Sequence, residues 1–350
     1  MAITRTLANG NLLTDWTEEV NEIDNQYGLL NGMGLFNSKG TSQRSIVFDK
    51  DTVKTVLLPR VNPTDRHPVM GRDRKLETYS LAIPYFKAFD AITVEDIQGK
   101  RMGGTPDSPE TLANVVAEKL EDLRMSADQT KEYMKIQAIK GITKAPSGET
   151  LADMFNIFGL TRSNYQTDFV LGTSSTNVDL KISEVKRAIA KNAKTGGAIG
   201  KIMVLCDPEF FDKLTTHATI RDAYKYYINS GKQLLRDDLS AYEKWGVVDM
   251  FEHKGVLFMS YDAEFVLPDN TTEAAFAASE GFSIVSGARS VYRGYHGPAT
   301  KLSMANTVGQ EMYVWQTTDD RDEKMDLELQ MAGLYFMTKP QLSWRVYSSN

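Results

Sequence analysis

Cysteine and long apolar runs are almost missing from this sequence, and each absence excludes a class of protein. Cys206 is the only cysteine among the 350 residues, so no intrachain disulfide can form and a reducing compartment such as the cytoplasm is expected. No run approaches the roughly 18 apolar residues that a membrane-spanning helix needs. The start, Met1–Arg5, lacks the apolar stretch of a signal peptide. We therefore expect a soluble cytoplasmic protein with no membrane partner.

Patterns that carry catalytic or metal chemistry are also lacking. The histidines show no HxxH or HExxH spacing, and no cysteine pair completes a zinc site. The glycine cluster at 195–201 fails as a phosphate loop, because Thr195 replaces its first glycine and Ile202 its magnesium-binding hydroxyl residue. No GxSxG nucleophile motif is present, and the acidic turn 319–324 lacks the ligand pattern of a calcium loop. The sequence predicts no catalytic residue, no cofactor, no metal and no enzyme activity.

An excess of positive charge is missing as well. Lys and Arg number 40 against 46 Asp and Glu, which gives a net charge of −6. A protein that coats duplex DNA needs surplus cations to displace counterions, so that role is disfavoured. A mildly negative chain would suit a structural protein that surrounds DNA without binding it. The length and the 41% apolar content allow one large or two medium domains with a sizeable core.

The first hundred residues predict an arm followed by a long exposed loop. Residues 1–45 mix polar residues and glycines with scattered aromatic anchors, which favours an arm that packs on other parts. Ser45–Leu58 and Lys75–Ile83 alternate like strands. The segment between them is proline-stiffened and carries the cations Arg60, Arg66, Arg72 and Arg74, followed by Lys75. Arginines suit bidentate pairing with carboxylates, so we predict that these five residues contact a neighbouring subunit. A solvated loop and a phosphate-binding loop are the alternatives.

A very long helix is the clearest element. Ser108 suits an N-cap, Pro109 suits the first helical position, and Gly141 suits the end. The spacing predicts about 32 residues, or roughly 50 Å. Its predicted apolar face consists of Leu112, Val116, Leu120, Leu123, Ala127, Met134 and Ala138. Its predicted polar face consists of Glu118, Glu121, Asp122, Arg124, Lys131 and Lys135, so we expect burial on one side only.

The remaining sequence predicts a mixed α+β fold. A helix over Val178–Lys191 precedes a buried strand at Lys201–Leu205, and Asp207-Pro208 opens another helix. Further strands are expected at Val256–Ser260, Glu264–Leu267, Phe282–Val285, Glu311–Thr318 and Met325–Thr338. Because helices and strands do not alternate regularly, a doubly wound nucleotide-binding fold is disfavoured.

Several short segments resemble the lambda-type capsid protein E family of tailed phages. Residues 202–214, IMVLCDPEFFDKL, resemble its strand–DP–helix segment, and 265–270, FVLPDN, are similar to its LPDN turn. The glycine- and arginine-bearing stretch 286–295 and the segment 310–314 follow in the family's order. This resemblance implies the tailed-phage major capsid protein fold. Its parts would be an N-terminal arm (1–45), an extended loop (46–97), a peripheral domain (98–177) with a spine helix at 108–141, an axial domain (178–305) and C-terminal peripheral strands (306–350).

The resemblance implies a structural role in a virion. The chain would associate with itself into hexamers and pentamers of an icosahedral shell that encloses double-stranded DNA, touched only non-specifically. Scaffold, portal and decoration proteins would be further partners, and assembly would take place in the host bacterial cytoplasm. The alternatives are an encapsulin-like nanocompartment shell, an enzyme with a dispersed active site, and a nucleic-acid-binding protein that uses loop 60–75.

Overall fold

The protein is described here by a computed structural model that covers residues 3–6, 12–17, 20, 28–51, 76–98, 111–193, 200–229, 246–287, 291–319 and 323–350. The helices in these residues are α1 (Leu29–Gly32), α2 (Val94–Ile97), α3 (Leu112–Lys140), α4 (Met154–Ile157), α5 (Val178–Ala193), α6 (Pro208–Thr216) and α7 (Arg221–Asn229), with 3₁₀ turns at Arg162–Asn164, Leu302–Met304 and Pro340–Leu342.

The strands in the same residues are β1 (Ile3–Thr6), β2 (Leu12–Asp15), β3 (Asn37–Gly40), β4 (Ser45–Asp51), β5 (Leu76–Ala82), β6 (Tyr85–Thr93), β7 (Ile142–Lys144), β8 (Thr150–Asp153), β9 (Gln166–Asp168), β10 (Ile202–Cys206), β11 (Val247–His253), β12 (Val256–Tyr261), β13 (Glu264–Val266), β14 (Thr272–Ala274), β15 (Glu280–Val285), β16 (Tyr292–His296), β17 (Tyr313–Thr318), β18 (Lys324–Met337) and β19 (Arg345–Tyr347). The predicted α+β class is confirmed.

A seven-stranded sheet is organised around β18. Its order is β1-β2-β17-β18-β16-β3. β6 pairs with β18 on the edge opposite β17. β17 and β18 are antiparallel, with Tyr313 opposite Gln330 and Thr318 opposite Met325. The prediction of two long C-terminal strands joined by a turn is therefore confirmed, while turn residues 320–322 lie outside the described residues.

A second sheet has six strands, in the order β11-β12-β10-β15-β19-β9. Its centre is β10, in which all five residues are buried, as expected for a continuous apolar run between two neighbours. The predicted helix after this strand is confirmed as α6. Asp207 caps it by accepting a hydrogen bond from the Glu209 backbone N–H, with Pro208 at the first turn.

The predicted long helix is confirmed as α3, which spans 29 residues or roughly 43 Å. The helix begins later than predicted: Thr111 is its N-cap and accepts from the Asn114 backbone N–H. The assignment of Ser108 as the cap was therefore wrong, and Ser108 and Pro109 lie outside the described residues. Gly141 ends the helix in the left-handed conformation at φ 88°, as glycine allows.

The expected one-sided burial of α3 was wrong for its C-terminal half. Arg124, Lys131 and Lys135 belong to the predicted polar face, yet they are only 5%, 2% and 9% exposed. Every residue from 131 to 139 is buried. The reason is tertiary, because α1 packs against α3 on one side while β18 and β15 contact it elsewhere. Glu118, Glu121 and Asp122, nearer the N-terminus, are exposed as predicted.

Strand pairing ties distant parts of the chain together. β16 lies beside β18 in the seven-stranded sheet, whereas β19 near the C-terminus lies in the six-stranded sheet. Strand β3, at the end of the predicted arm, pairs in parallel with β16. The division at 45, 97, 177 and 305 stays a prediction, and these pairings cross its boundaries.

Candidate assembly surfaces

The base of the predicted extended loop is an antiparallel ribbon fixed to the body. β4 and β5 pair from Ser45 opposite Ala82 to Asp51 opposite Leu76. Ile46 and Leu81 are buried in a cluster with Phe336, and the ring of Phe48 stacks on Phe336 with centroids 5.7 Å apart. The base of the ribbon is therefore fixed to the body of the protein by apolar packing.

The predicted subunit-contact residues belong to the segment beyond this base. Arg60, Arg66, Arg72, Arg74 and Lys75 all lie outside the described residues. Their role as a contact stays a prediction. The described part of the ribbon shows how its base is held together. Directly beyond the paired strands, Ile83 donates its backbone N–H to the Arg44 carbonyl at 2.9 Å.

A chain of ion pairs follows one side of α3, and its members on the helix, Arg124, Asp128 and Lys131, are buried. Arg124 Nε lies 3.1 Å from Asp128 Oδ2, and Lys131 Nζ lies 2.5 Å from Asp128 Oδ1. Lys131 also pairs with Glu311, which precedes β17. Burial by itself raises the pKa of Glu311, but the charge and hydrogen bond of Lys131, together with the charge of Arg124, lower that pKa to about 2. Because these charges are paired, the helix can carry them inside the protein.

Glu132 connects three parts of the fold. Its carboxylate accepts the backbone N–H groups of Leu30 at 2.8 Å and Asn31 at 2.9 Å, at the start of α1. The Tyr261 hydroxyl, at the end of β12, donates to the same carboxylate at 3.2 Å. Burial raises the pKa of Glu132, against these hydrogen bonds and the charge of Lys135. Glu132 therefore joins the N-terminal segment, the long helix and the six-stranded sheet.

Lys135 and Gly28 complete this junction. The Lys135 ammonium donates to Asn31 Oδ1 at 2.6 Å, and burial lowers its pKa to about 8. Gly28 has φ 96°, and a Cβ there would lie 2.5 Å from the Glu132 side chain. Only glycine fits both the conformation and the space.

His296 lies near this network without joining it. Its side chain is 6% exposed, and its Nδ1 has no hydrogen-bond partner among the described residues. Burial lowers the pKa of His296 to about 4, and the neighbouring cations Lys131 and Lys135 add to this effect while Glu311 opposes it. The imidazole is therefore neutral at neutral pH.

The sequence interpretation missed this network. The cations Arg124, Lys131 and Lys135 were assigned to solvent, and Asp128, Glu132 and Glu311 were not singled out. A signal was present, because acidic residues stand three or four positions from basic ones along the helix. That spacing indicates ion pairs, but it is equally typical of an exposed helix face.

An open groove of about 770 Å³ lies on another side of α3. Its walls are the start of β6, the β7–β8 hairpin and the residues after β13. The β13–β14 hairpin is held on α3 because Glu273 accepts from the Tyr133 hydroxyl at 2.9 Å and from the Gln137 amide at 3.3 Å. No histidine or cysteine is among the described residues that line the groove.

The described residues hold no group of three or more potential metal ligands, and none of their helices is long and apolar enough to cross a membrane. Cys206 is fully buried, and burial raises its pKa, so it is not a reactive thiolate. Residues 195–199 of the glycine cluster at 195–201 lie outside the described residues.

The two sheets, the long helix and the anchored ribbon together define a capsid-type fold. A prophage protein of Escherichia coli CFT073 that is assigned as a capsid protein superposes with a TM-score of 0.63, at 13% identity and with 100% of both chains covered. At this identity, the likeness shows the fold. The chain thus has the tailed-phage major capsid fold.

Sequence relatives identify the family. Residues 13–348 match the family described as phage major capsid protein E. The major capsid protein of Salmonella phage Felix O1 is 31% identical with 94% of each chain covered, and that of Pseudomonas phage KPP10 is 33% identical with 96% of each covered. The chain belongs to the phage major capsid protein E family, and its function is that of a shell-forming structural subunit of the virion capsid. The resemblance seen in the sequence is confirmed.

Proposed function

We propose that this chain is the repeating subunit of a closed icosahedral head, built from hexamers and pentamers, that encloses double-stranded DNA. The subunit assembles in the host bacterial cytoplasm and has no catalytic activity. Scaffold, portal and decoration proteins are its further partners. The observation that carries this proposal is the match to the major capsid family over residues 13–348.

The anchored ribbon supports the mode of assembly. A subunit that places a loop across its neighbour gains interface area that a compact surface does not offer. The same contact, repeated head to tail around an axis, closes into a ring when the rotation is right. We assign that contact to the cations Arg60, Arg66, Arg72, Arg74 and Lys75, with carboxylates of the adjacent subunit as their partners.

The division of the chain supports the same assembly. We assign residues 1–45 to the arm, 46–97 to the extended loop, 98–177 and 306–350 to the peripheral domain and 178–305 to the axial domain. The burial of α3 in the body supports its role as the spine of the peripheral part. The axial part supplies the contacts around the five- and six-fold axes.

The net charge of −6 supports a wall beside packaged DNA rather than a DNA-coating protein. Contact with the packaged DNA is therefore non-specific and weak. A strongly salt-dependent binding of duplex DNA by the unassembled chain contradicts this part of the proposal.

Electron microscopy with light scattering tests the proposal. The chain is expressed alone and, separately, beside the neighbouring genes of its phage genome. Rings or capsomers from the chain alone, and shells when it is expressed beside its neighbouring genes, are the expected result. Closed shells from the chain alone favour the nanocompartment alternative, and a dispersed monomer in both preparations rejects the proposed assembly.

A further inference from the structure

An amine, a carboxamide and a carboxylate meet where α1 lies on α3. Lys135 Nζ lies 2.6 Å from Asn31 Oδ1, across 104 positions of sequence. The Glu132 carboxylate accepts the backbone N–H of the same asparagine at 2.9 Å. Glu132 also stands three residues before Lys135 on α3, a spacing at which helical side chains are neighbours. We call Asn31, Glu132 and Lys135 the amide cluster.

The amide cluster lies largely inside the protein. Glu132 is fully buried and Lys135 is 9% exposed, while the buried ring of Tyr335 has its centre 5.2 Å from Lys135 Nζ. Burial lowers the pKa of Lys135 to about 8, against the charge of Glu132. At pH 7 about a tenth of the Lys135 side chains are therefore neutral amines. A lysine that is desolvated in this way is a nucleophile.

The carboxamide of Asn31 is held in place for this amine. Its Nδ2 donates to the Asp128 backbone carbonyl at 2.9 Å, its Oδ1 accepts from Lys135, and its backbone N–H is bound by Glu132. The side chain is thus fixed at both of its polar atoms. Two groups that are kept in contact react as if each were present at a very high local concentration.

We propose that Lys135 and Asn31 become joined by an isopeptide bond within one chain. The neutral Nζ attacks Cγ of Asn31, the bond from Cγ to Nδ2 breaks, and Nδ2 leaves as ammonia. Glu132 accepts the proton that Nζ loses and returns one proton to Nδ2, so the step consumes no oxidant and no further reactant. This inference goes beyond the proposed function and does not depend on assembly, because all three side chains belong to the same copy.

A second nucleophile stands beside Asn31, and its product has the same mass. The backbone nitrogen of Gly32 can close a succinimide ring on Asn31, which also releases ammonia. In this fold the Gly32 N–H donates to the Gly28 carbonyl at 3.2 Å, whereas Lys135 Nζ is directed at the carboxamide. The experiment must therefore locate the new bond as well as detect the lost mass.

Mass spectrometry of the folded full-length chain, denatured for the measurement, tests the proposal. The intact mass is expected to be lower than the sequence mass by about 17 Da, the mass of ammonia. A tryptic digest is expected to contain a branched peptide in which residues 31 and 135 are joined. An unchanged mass overturns the proposal, and so does a loss that maps to a ring at Asn31-Gly32. Neither result affects shell formation, which electron microscopy scores separately.

Substitutions at the two joined residues give the second readout. Lys135→Arg and Asn31→Ala are each expected to keep the full sequence mass, because a guanidinium is not a nucleophile and alanine has no carboxamide. Lys140→Arg, at the last residue of the same helix, is the matched control and is expected to keep the branched peptide. Loss of ammonia that persists in Lys135→Arg overturns the proposal.

The rate of bond formation tests the part assigned to Glu132. After cell-free synthesis, Glu132→Gln is expected to form the same bond at least about tenfold more slowly than the wild type. Tyr261→Phe removes the hydroxyl that donates to this carboxylate but keeps the carboxylate, so its rate should stay close to that of the wild type. Equal rates for Glu132→Gln and the wild type overturn the proton transfer assigned to Glu132.

Discussion

The Glu132 carboxylate accepts the backbone N–H of Leu30 across 102 positions of sequence, at 2.8 Å inside the protein. A carboxylate in this place costs desolvation, and it is tolerated because N–H groups, a hydroxyl and Lys135 surround it. The bond fixes the N-terminal segment to the long helix, and the Tyr261 hydroxyl extends the connection to the second sheet.

Glu132→Gln tests this junction. Glutamine keeps one acceptor oxygen and places an NH₂ group against Leu30 or Asn31, so one buried N–H loses its partner. We expect the free energy of unfolding of the unassembled chain to fall by about 1–3 kcal/mol, measured by denaturant titration. Glu118→Gln, on the exposed part of the same helix, is the matched control and should change stability by less than about 0.5 kcal/mol. Equal stability of the two variants would contradict the role of Glu132.

His296 predicts a pH dependence. Its pKa is lowered by burial from 6.5 to about 4, so between these values the unfolded chain binds a proton that the folded chain does not. The contribution of His296 to the free energy of unfolding is complete above pH 6.5 and is lost as the pH falls through about 4. The total change in this free energy is up to roughly 3 kcal/mol. Glu132 acts with the opposite sign, since its raised pKa favours proton uptake by the folded state.

The difference between two stability curves isolates the histidine. His296→Gln removes the titrating group, so its unfolding free energy should decline less steeply than that of the wild type between pH 6.5 and 4.5. Glu311, with its pKa lowered to about 2, acts below this window. Parallel curves for both proteins would show that His296 does not titrate as its burial requires.

The arginine-rich loop predicts an assembly defect without a folding defect. Replacing Arg66, Arg72 and Arg74 together by glutamine should reduce particle formation at least about tenfold while the monomer keeps its unfolding temperature. Particle yield by sedimentation is the measurement.

A triple variant with the same change of charge controls for net charge. Arg187, Lys191 and Arg221 are exposed on α5 and α7, and their replacement by glutamine should leave assembly unchanged. Normal particle yield from the loop variant would contradict the contact assigned to these arginines.

Val116→Asp tests the packing of the long helix. Val116 is 6% exposed in the main core, and an unpaired carboxylate there should cost more than about 3 kcal/mol and prevent stable folding. Met125→Asp, on the exposed side of the same helix, controls for the helix propensity of aspartate and should fold. Solubility and circular dichroism distinguish them, and a cooperatively melting Val116→Asp protein would contradict the burial of this face.

Local signals determined much of this fold. Asp207-Pro208 fixes the start of α6 because an N-cap acceptor and a pre-set φ act within one turn. Gly141 ends α3 because the left-handed conformation is cheap only for glycine. The unbroken apolar run at β10 indicates a central strand, because both of its faces must be covered. The order of several short segments along the sequence also indicates the capsid family.

Tertiary structure decided what local signals leave open. The spacing of Arg124, Lys131 and Lys135 is compatible with an exposed helix face or a buried one. The packing of α1 and the position of Glu311 decide that these side chains are buried. Capping and turn chemistry act over a few residues and can therefore be predicted from the sequence. Burial depends on which distant segments meet, and that is settled only when the whole chain folds.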